Sequence, residues 1–124
     1  MNKITIPGTL PDMNKIIKIS KAHPMAYSTE KKTYTDAVAW IAKGLPEMQR
    51  VSVTCHWYCP DRRIDPDNIS VGIKFILDGL VKAGVLKNDG WKQIAEISHK
   101  FYIDTNPRIE VELVEVEPCE SNVN

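Results

Sequence analysis

The sequence predicts an α+β fold: one small domain in which two main helices pack on a mixed β-sheet. Three observations carry this. A chain of 124 residues with 43% hydrophobic residues is about one domain long and can build a single core without disulfide or metal staples. Its apolar pattern alternates between the period of a strand and that of a helix in the order strand, helix, strand, helix, strand, strand. No internal repeat and no low-complexity tract interrupts that order.

KITIP, residues 3 to 7, alternates as a short strand and is closed by Pro7 and Gly8, after which a loop leads into a brief helical stretch. From Ser28 or Thr29, good helix N-cap types, a helix runs with Tyr34, Ala37, Val38, Trp40 and Ile41 on one face, and Gly44 and Pro46 end it. RVSVTCHWY, residues 50 to 58, sets Val51, Val53, Cys55 and Trp57 against Ser52, Thr54, His56 and Tyr58, the pattern of a half-buried strand. A second helix is expected from Asp67 or Asn68 to Ala83, stopped by Gly84. Residues 92 to 104 and 108 to 116 then read as two strands joined as a hairpin through Thr105, Asn106 and Pro107. Residues 1–118 form the domain and 119–124 a frayed tail.

Sixteen basic and sixteen acidic side chains cancel, so whole-molecule attraction to a polyanion is not expected. Their distribution is uneven: residues 1 to 63 carry ten bases and five acids, and residues 64 to 124 carry six bases and eleven acids, six of them between Asp104 and Glu120. No apolar run approaches the ~20 residues needed to cross a bilayer, and the first residues are too polar for a secretory signal, so a cytoplasmic protein with no membrane contact is expected. Cys55, Cys59 and Cys119 are an odd set, read as reduced thiols, with Cys55 in strand core. Cys55, His56 and Cys59 lack a second pair at zinc-ligand spacing. His23, His56 and His99 share no motif. Trp40, Trp57 and Trp91 read as packing residues, with Trp91 a weak candidate for DNA contact.

Residues 62 to 91 hold a polar arrangement that folding alone does not require. On a wheel of about 100° per residue, Asp67, Lys74 and Asp78 form one line along the second helix, opposite Ile69, Ile73, Ile76, Leu77 and Leu80. Asp65 and Asp67 flank Pro66, which favours an extended Asp65, so two carboxylates converge at a helix start. Held together they repel unless a cation binds between them or one is protonated. Oxygen ligands of this kind favour Mg²⁺, with Mn²⁺ as a substitute, and Asp89 completes the cluster if the chain folds back over the helix top. An EF-hand is excluded, because its fifth, sixth and twelfth positions fall on Ile69, Ser70 and Ile76. Each residue also has an ordinary use: Asp67 is a sound N-cap, and Lys74 with Asp78 an exposed i, i+4 pair.

The run RRIDPDN, then Lys74 and Asp78 in KFILDGL, then Lys82 and the pair Asn88 and Asp89, resembles the RusA-type Holliday junction resolvases, including their phage and prophage relatives. Leu10, Pro11 and Asn14 resemble the family's N-terminal segment more loosely. Two features depart from the enterobacterial pattern: the interval from Asn68 to Lys74 is about one helical turn longer, and Asn88 replaces a second acid.

The resemblance implies a homodimeric, Mg²⁺-dependent endodeoxyribonuclease that resolves four-way DNA junctions by symmetric nicks, in DNA recombination and repair, with no small-molecule cofactor. It implies Asp65, Asp67 and Asp89 as metal ligands, Lys74 as the catalytic lysine and Asp78 as a support to Lys74 or to a ligand. Arg62, Arg63, Lys82, Lys87 and Lys92 surround this segment and can hold backbone phosphates of branched double-stranded DNA without reading sequence. Two symmetric cuts are most simply made by two sites about a two-fold axis. The alternative is a non-catalytic branched-DNA-binding or phage assembly protein that keeps the fold.

Overall fold

In the computed structural model, which describes residues 2–22 and 24–118, a mixed four-stranded sheet carries its helices on one face, as an α+β domain. The first strand, β1 (Asn2–Pro7), buries Ile4 and Ile6 and exposes Lys3 and Thr5, the alternation read from KITIP. Asp12 starts α1 (Met13–Ala22) by accepting the Lys15 backbone N–H on its carboxylate at 3.1 Å. The next helix, α2 (Pro24–Ala42), begins before the predicted Ser28 or Thr29 because Pro24 opens it, its fixed φ suiting the first helical position. The Thr29 and Thr33 hydroxyls instead donate back to the carbonyls of Met25 and Thr29.

Val38 and Ala42 are fully buried on α2, but Trp40, expected on the packed face, is 70% exposed. The Lys43 ammonium lies 3.5 Å from its ring centroid, so a cation covers it in place of the core. Trp57 is buried as expected; Trp91 is 95% exposed.

The central strand β2 (Val51–Cys59) buries Val51, Val53, Cys55 and Trp57. Burial pushes the Cys55 thiol up to about 12, an inert core group. Where one helix was expected there are two, α3 (Pro66–Ser70) and α4 (Ile73–Lys82), broken at Val71 and Gly72. A Cβ on Gly72 would lie 3.0 Å from the Trp57 ring and 3.2 Å from Leu10 Cβ. Further along, a Cβ on Gly79 would sit 2.5 Å from Val38 Cγ1, so α2 and α4 cross where only glycine fits. Gly84 ends α4 as predicted, at φ +80°, with the Val85 N–H returning to the Leu80 carbonyl.

The strands β3 (Ile94–Ile103) and β4 (Arg108–Glu115) are not the expected hairpin. The sheet order is β1-β4-β2-β3, with β3 parallel to β2 and β4 antiparallel to it. Thr105, Asn106 and Pro107 therefore cross over the end of β2, and the Asp104 N–H donates to the Cys59 carbonyl at 2.9 Å on the way. The short polar connection gave a hairpin signal, but β2, with an apolar face that needs two neighbours, occupies the slot between the two strands. No described helix is long and apolar enough to cross a membrane. His23, Cys119 and the tail at 119–124 lie outside the described residues.

Candidate active site

After β2, the segment Pro60 to Ile64 is exposed and leads to Asp65, which is extended (φ −69°, ψ 148°), as a residue before proline should be. Asp65 is the N-cap of α3, yet its carboxylate makes no capping hydrogen bond. Asp67 lies in the first turn. Both are exposed, and among the described residues neither carboxylate has an ion-pair or hydrogen-bond partner. The ordinary use of such residues, closing a helix end, does not consume these oxygens. None of the five residues of α3 is buried, so packing does not account for it either.

Asp65 lines an open cleft of about 700 Å³ with Arg62, Ile69, Phe101, Tyr102 and Ile103. The edge strand β3 thus forms the wall facing the carboxylates, a contribution that sequence reasoning missed. Its signal is the run Phe101, Tyr102, Ile103, apolar on both faces of a strand. Tyr102 is held from two sides: its hydroxyl is 2.9 Å from His56 Nδ1, and its ring stacks on Tyr58 at 4.6 Å. The Arg108 guanidinium covers Tyr58 at 3.8 Å. A second cleft, about 340 Å³, lies next to the first and shares Cys59, Asp61, Ile64 and Ile69 with it. Burial and the Asp61 carboxylate raise the Cys59 thiol above its ordinary value, which keeps it protonated near neutrality.

The remaining predicted residues fall in three places. Lys74 is exposed on the first turn of α4, with no ion-pair partner among the described residues. Asp78, expected to support Lys74, turns toward α2 and pairs with Lys31 at 3.8 Å; the break at Gly72 separates the line drawn on a continuous wheel. Lys82 pairs with Asp36 of α2, and this pair and Lys32 hold the Asp36 carboxyl below its ordinary range. Arg62 and Arg63 stand beside Asp65 at the exit of β2, with Arg63 on Asp61 at 3.6 Å.

Asp89, Lys87 and Lys92 lie at the other end of the sheet. The turn from Gly90 to Gln93 feeds directly into β3, whose Ile94 is paired with Val51 at the start of β2. Since β2 and β3 run parallel, entry and exit are separated by the nine residues of β2, roughly 26 Å at about 3.3 Å per step. Within one chain Asp89 does not fold back over the start of the helix to meet Asp65 and Asp67. Consistently, no group of three or more His, Cys, Asp or Glu side chains among the described residues is placed to hold a metal ion.

Asp65, at the cleft, and Asp67, two residues on in the same helix start, are nonetheless free carboxylates among the described residues, with Arg62 on the cleft wall and Arg63 next to it in the chain, an arrangement suited to phosphodiester chemistry. The comparison with curated proteins returns no match. Residues 7–114 match the family model described as Endodeoxyribonuclease RusA. That span runs from the end of β1 to near the end of β4 and takes in both carboxylates, Lys74 and Asp89. With the match covering most of its length, the chain belongs to the RusA endodeoxyribonuclease family, whose members resolve Holliday junctions by endonuclease activity on branched DNA.

Proposed function

We propose that this protein is a homodimeric, Mg²⁺-dependent resolvase that nicks four-way DNA junctions symmetrically during recombination and repair. The observation that carries the reading is the pair of unpartnered carboxylates, Asp65 and Asp67, on a helix start that neither capping nor packing explains. Two exposed carboxylates fit Mg²⁺, which keeps water and substrate phosphate in most of its coordination positions. Mn²⁺ satisfies the same donors. When bound there, the ion supplies Lewis acidity toward a phosphate oxygen and acidifies a water molecule.

The chain's own residues do the rest. Lys74, exposed and without an ion-pair partner among the described residues, neutralises charge that builds on the phosphate in the transition state. Arg62 and Arg63 on one side, and Lys87 and Lys92 at the far end, hold backbone phosphates and position the duplex without reading its sequence. Lys82 contributes less, because Asp36 already occupies it. Asp89 joins Asp65 and Asp67 only from a second copy of the chain. A two-fold axis then gives two equivalent sites, which matches the two nicks that resolution of a junction needs.

The test uses purified protein, a synthetic four-way junction and Mg²⁺. Paired nicks are expected, lost on chelation and lost in Asp67→Asn, while junction binding and the melting temperature of the variant stay unchanged. Binding without cutting by the native protein would favour a non-catalytic branched-DNA-binding role. Equal cutting of flaps and junctions would widen the substrate class.

A further inference from the structure

We infer that the smaller of the two clefts, about 340 Å³, is a receptor for one nucleobase of the strand that is cut, unstacked from the duplex and held beside the reacting phosphate. The inference rests on the nuclease reading above and adds to it the group that is recognised next to the nick.

The cleft is built where three separate stretches of chain meet: the loop after β1, the exit of β2 and the start of β4. Leu10, Trp57, Ile64, Ile69 and Ile109 make its apolar walls. Its size is at the small end of ligand pockets, which run from about 300 to 1,000 Å³, so it suits a single flat ring system. Ile64 is 39% exposed and stands on the wall shared with the larger cleft. Folding gains little from a large apolar side chain left in that place, whereas a ring laid against it buries it.

The charges of the two clefts differ, and the difference says which part of a nucleotide each one takes. Around the smaller cleft every cation is already held by a carboxylate: Lys15 by Glu30 at 3.5 Å, Arg63 by Asp61 at 3.6 Å and Arg108 by Glu110 at 2.8 Å. Asp12 is spent on the Lys15 backbone N–H at the start of α1. The Cys59 thiol on the shared wall is neutral, raised by burial and by Asp61. A neutral group is therefore what the smaller cleft accepts, and the Thr9 hydroxyl, without a hydrogen bond among the described residues, offers its polar edge a partner. The larger cleft holds the Asp65 carboxylate, free among the described residues, together with Arg62, where a phosphate and its cation belong. Since Cys59, Asp61, Ile64 and Ile69 line both clefts, a phosphate in one leaves its own base at the mouth of the other.

Taking a base out of the stack costs least where stacking is already interrupted. The exchange point of a four-way junction is such a place, because four duplex arms end there. A base receptor beside the cut thus favours branched DNA over a continuous duplex without any contact inside the groove of an arm.

Binding is read first, on the full-length protein without metal, from its backbone amide resonances. A short thymidine oligonucleotide should shift the Gly8, Leu10, Ile64 and Ile109 amides, whereas the same strand with an abasic central residue should leave them in place. Cutting is read next, on junctions that carry one abasic residue at each position flanking the nick. One of these positions should cost about ten-fold in rate. Thr9→Trp, which enlarges an exposed loop residue to fill the cleft, should cost the same factor on the intact junction and nothing further on the abasic one, with Tm unchanged. Losses that multiply, native cutting by Thr9→Trp, or amides that ignore the oligonucleotide would overturn the inference. If the amides shift but the protein cuts no junction, the nuclease reading alone falls. If junctions are cut with indifference to every abasic position, this inference alone falls.

Discussion

The half of the molecule around α4 and the half around α3 obey different rules. Phe75, Ile76, Leu77, Gly79 and Leu80 of α4 are buried against α2 and the sheet, and of its polar residues Asp78 and Lys82 are tied to α2 by ion pairs while Lys74, on its first turn, is exposed. Two residues upstream, α3 buries nothing and leaves its carboxylates free, beside an edge strand that no helix covers. Stability is concentrated in one half, and available chemistry in the other and at Lys74, on the first turn of α4 where the two meet. The boundary is the break at Val71 and Gly72, not a division between two faces of one helix.

The contrast can be broken by substitutions whose effects differ in size. Gly79→Ala should be the most damaging, because the added methyl meets Val38 at 2.5 Å and the Ala39 backbone nitrogen at 3.1 Å. Overpacking outweighs the gain in helix propensity, for a net loss of about 2 kcal/mol, read as roughly 8 °C in Tm. Gly72→Ala tests the joint itself. Its φ of −59° is open to any residue, so the outcome depends on whether Trp57 at 3.0 Å and Leu10 Cβ at 3.2 Å can yield. Pinned by its hydrogen bond to His99, the indole cannot, and a loss of about 1 kcal/mol is expected. A gain in Tm would show that the helices are broken for some other reason.

A smaller effect is expected from pH in the open half. Burial lowers the His99 pKa below its ordinary 6.5, so the unfolded chain takes up a proton before the folded one does. The stability this ring contributes is full above about pH 6.5 and falls as pH drops below that value. Protonation would also end its role as acceptor for Trp57. Thermal melts from pH 7.5 to 5.5 should show the decline, flattened in His99→Gln, where a neutral acceptor remains. Smallest of all is the stability change in Asp67→Asn, the variant expected to abolish cutting. An unmoved Tm there is the sharpest statement that α3 serves chemistry and not packing.

Most of the fold was legible because burial writes a period into the sequence. KITIP and VSVTCHWYC each alternate against a single apolar face, and their strands lie where that alternation puts them. Gly84 announced the end of α4 through the one backbone conformation it favours. Three features were not legible, two of them because the cause is distant in the chain. The wheel could not see Trp57 pressing on Gly72. The polar link from Asp104 to Pro107 looked like a hairpin because strand order depends on β2, some fifty residues earlier. Trp40 looked like core because apolar spacing does not reveal a lysine one turn on. Of the candidate site, Asp65 and Asp67 were found from their own spacing, whereas the position of Asp89 followed from the parallel pairing of β2 and β3, which no local pattern encodes.

The pairing of β1 with β4, Asn2 against Leu113, sets the order in which this molecule can be built. Strand β1 has no neighbour in the sheet until β4 has been made, and β2 meanwhile lies open along one side. Bringing β1 and β4, about a hundred residues apart, together costs about 4 kcal/mol from chain length alone, recovered only when β4 slots between β1 and β2. Assembly is therefore slow relative to a helical protein of this size. Nascent chains lacking β4 should be the species that chaperones and proteases meet.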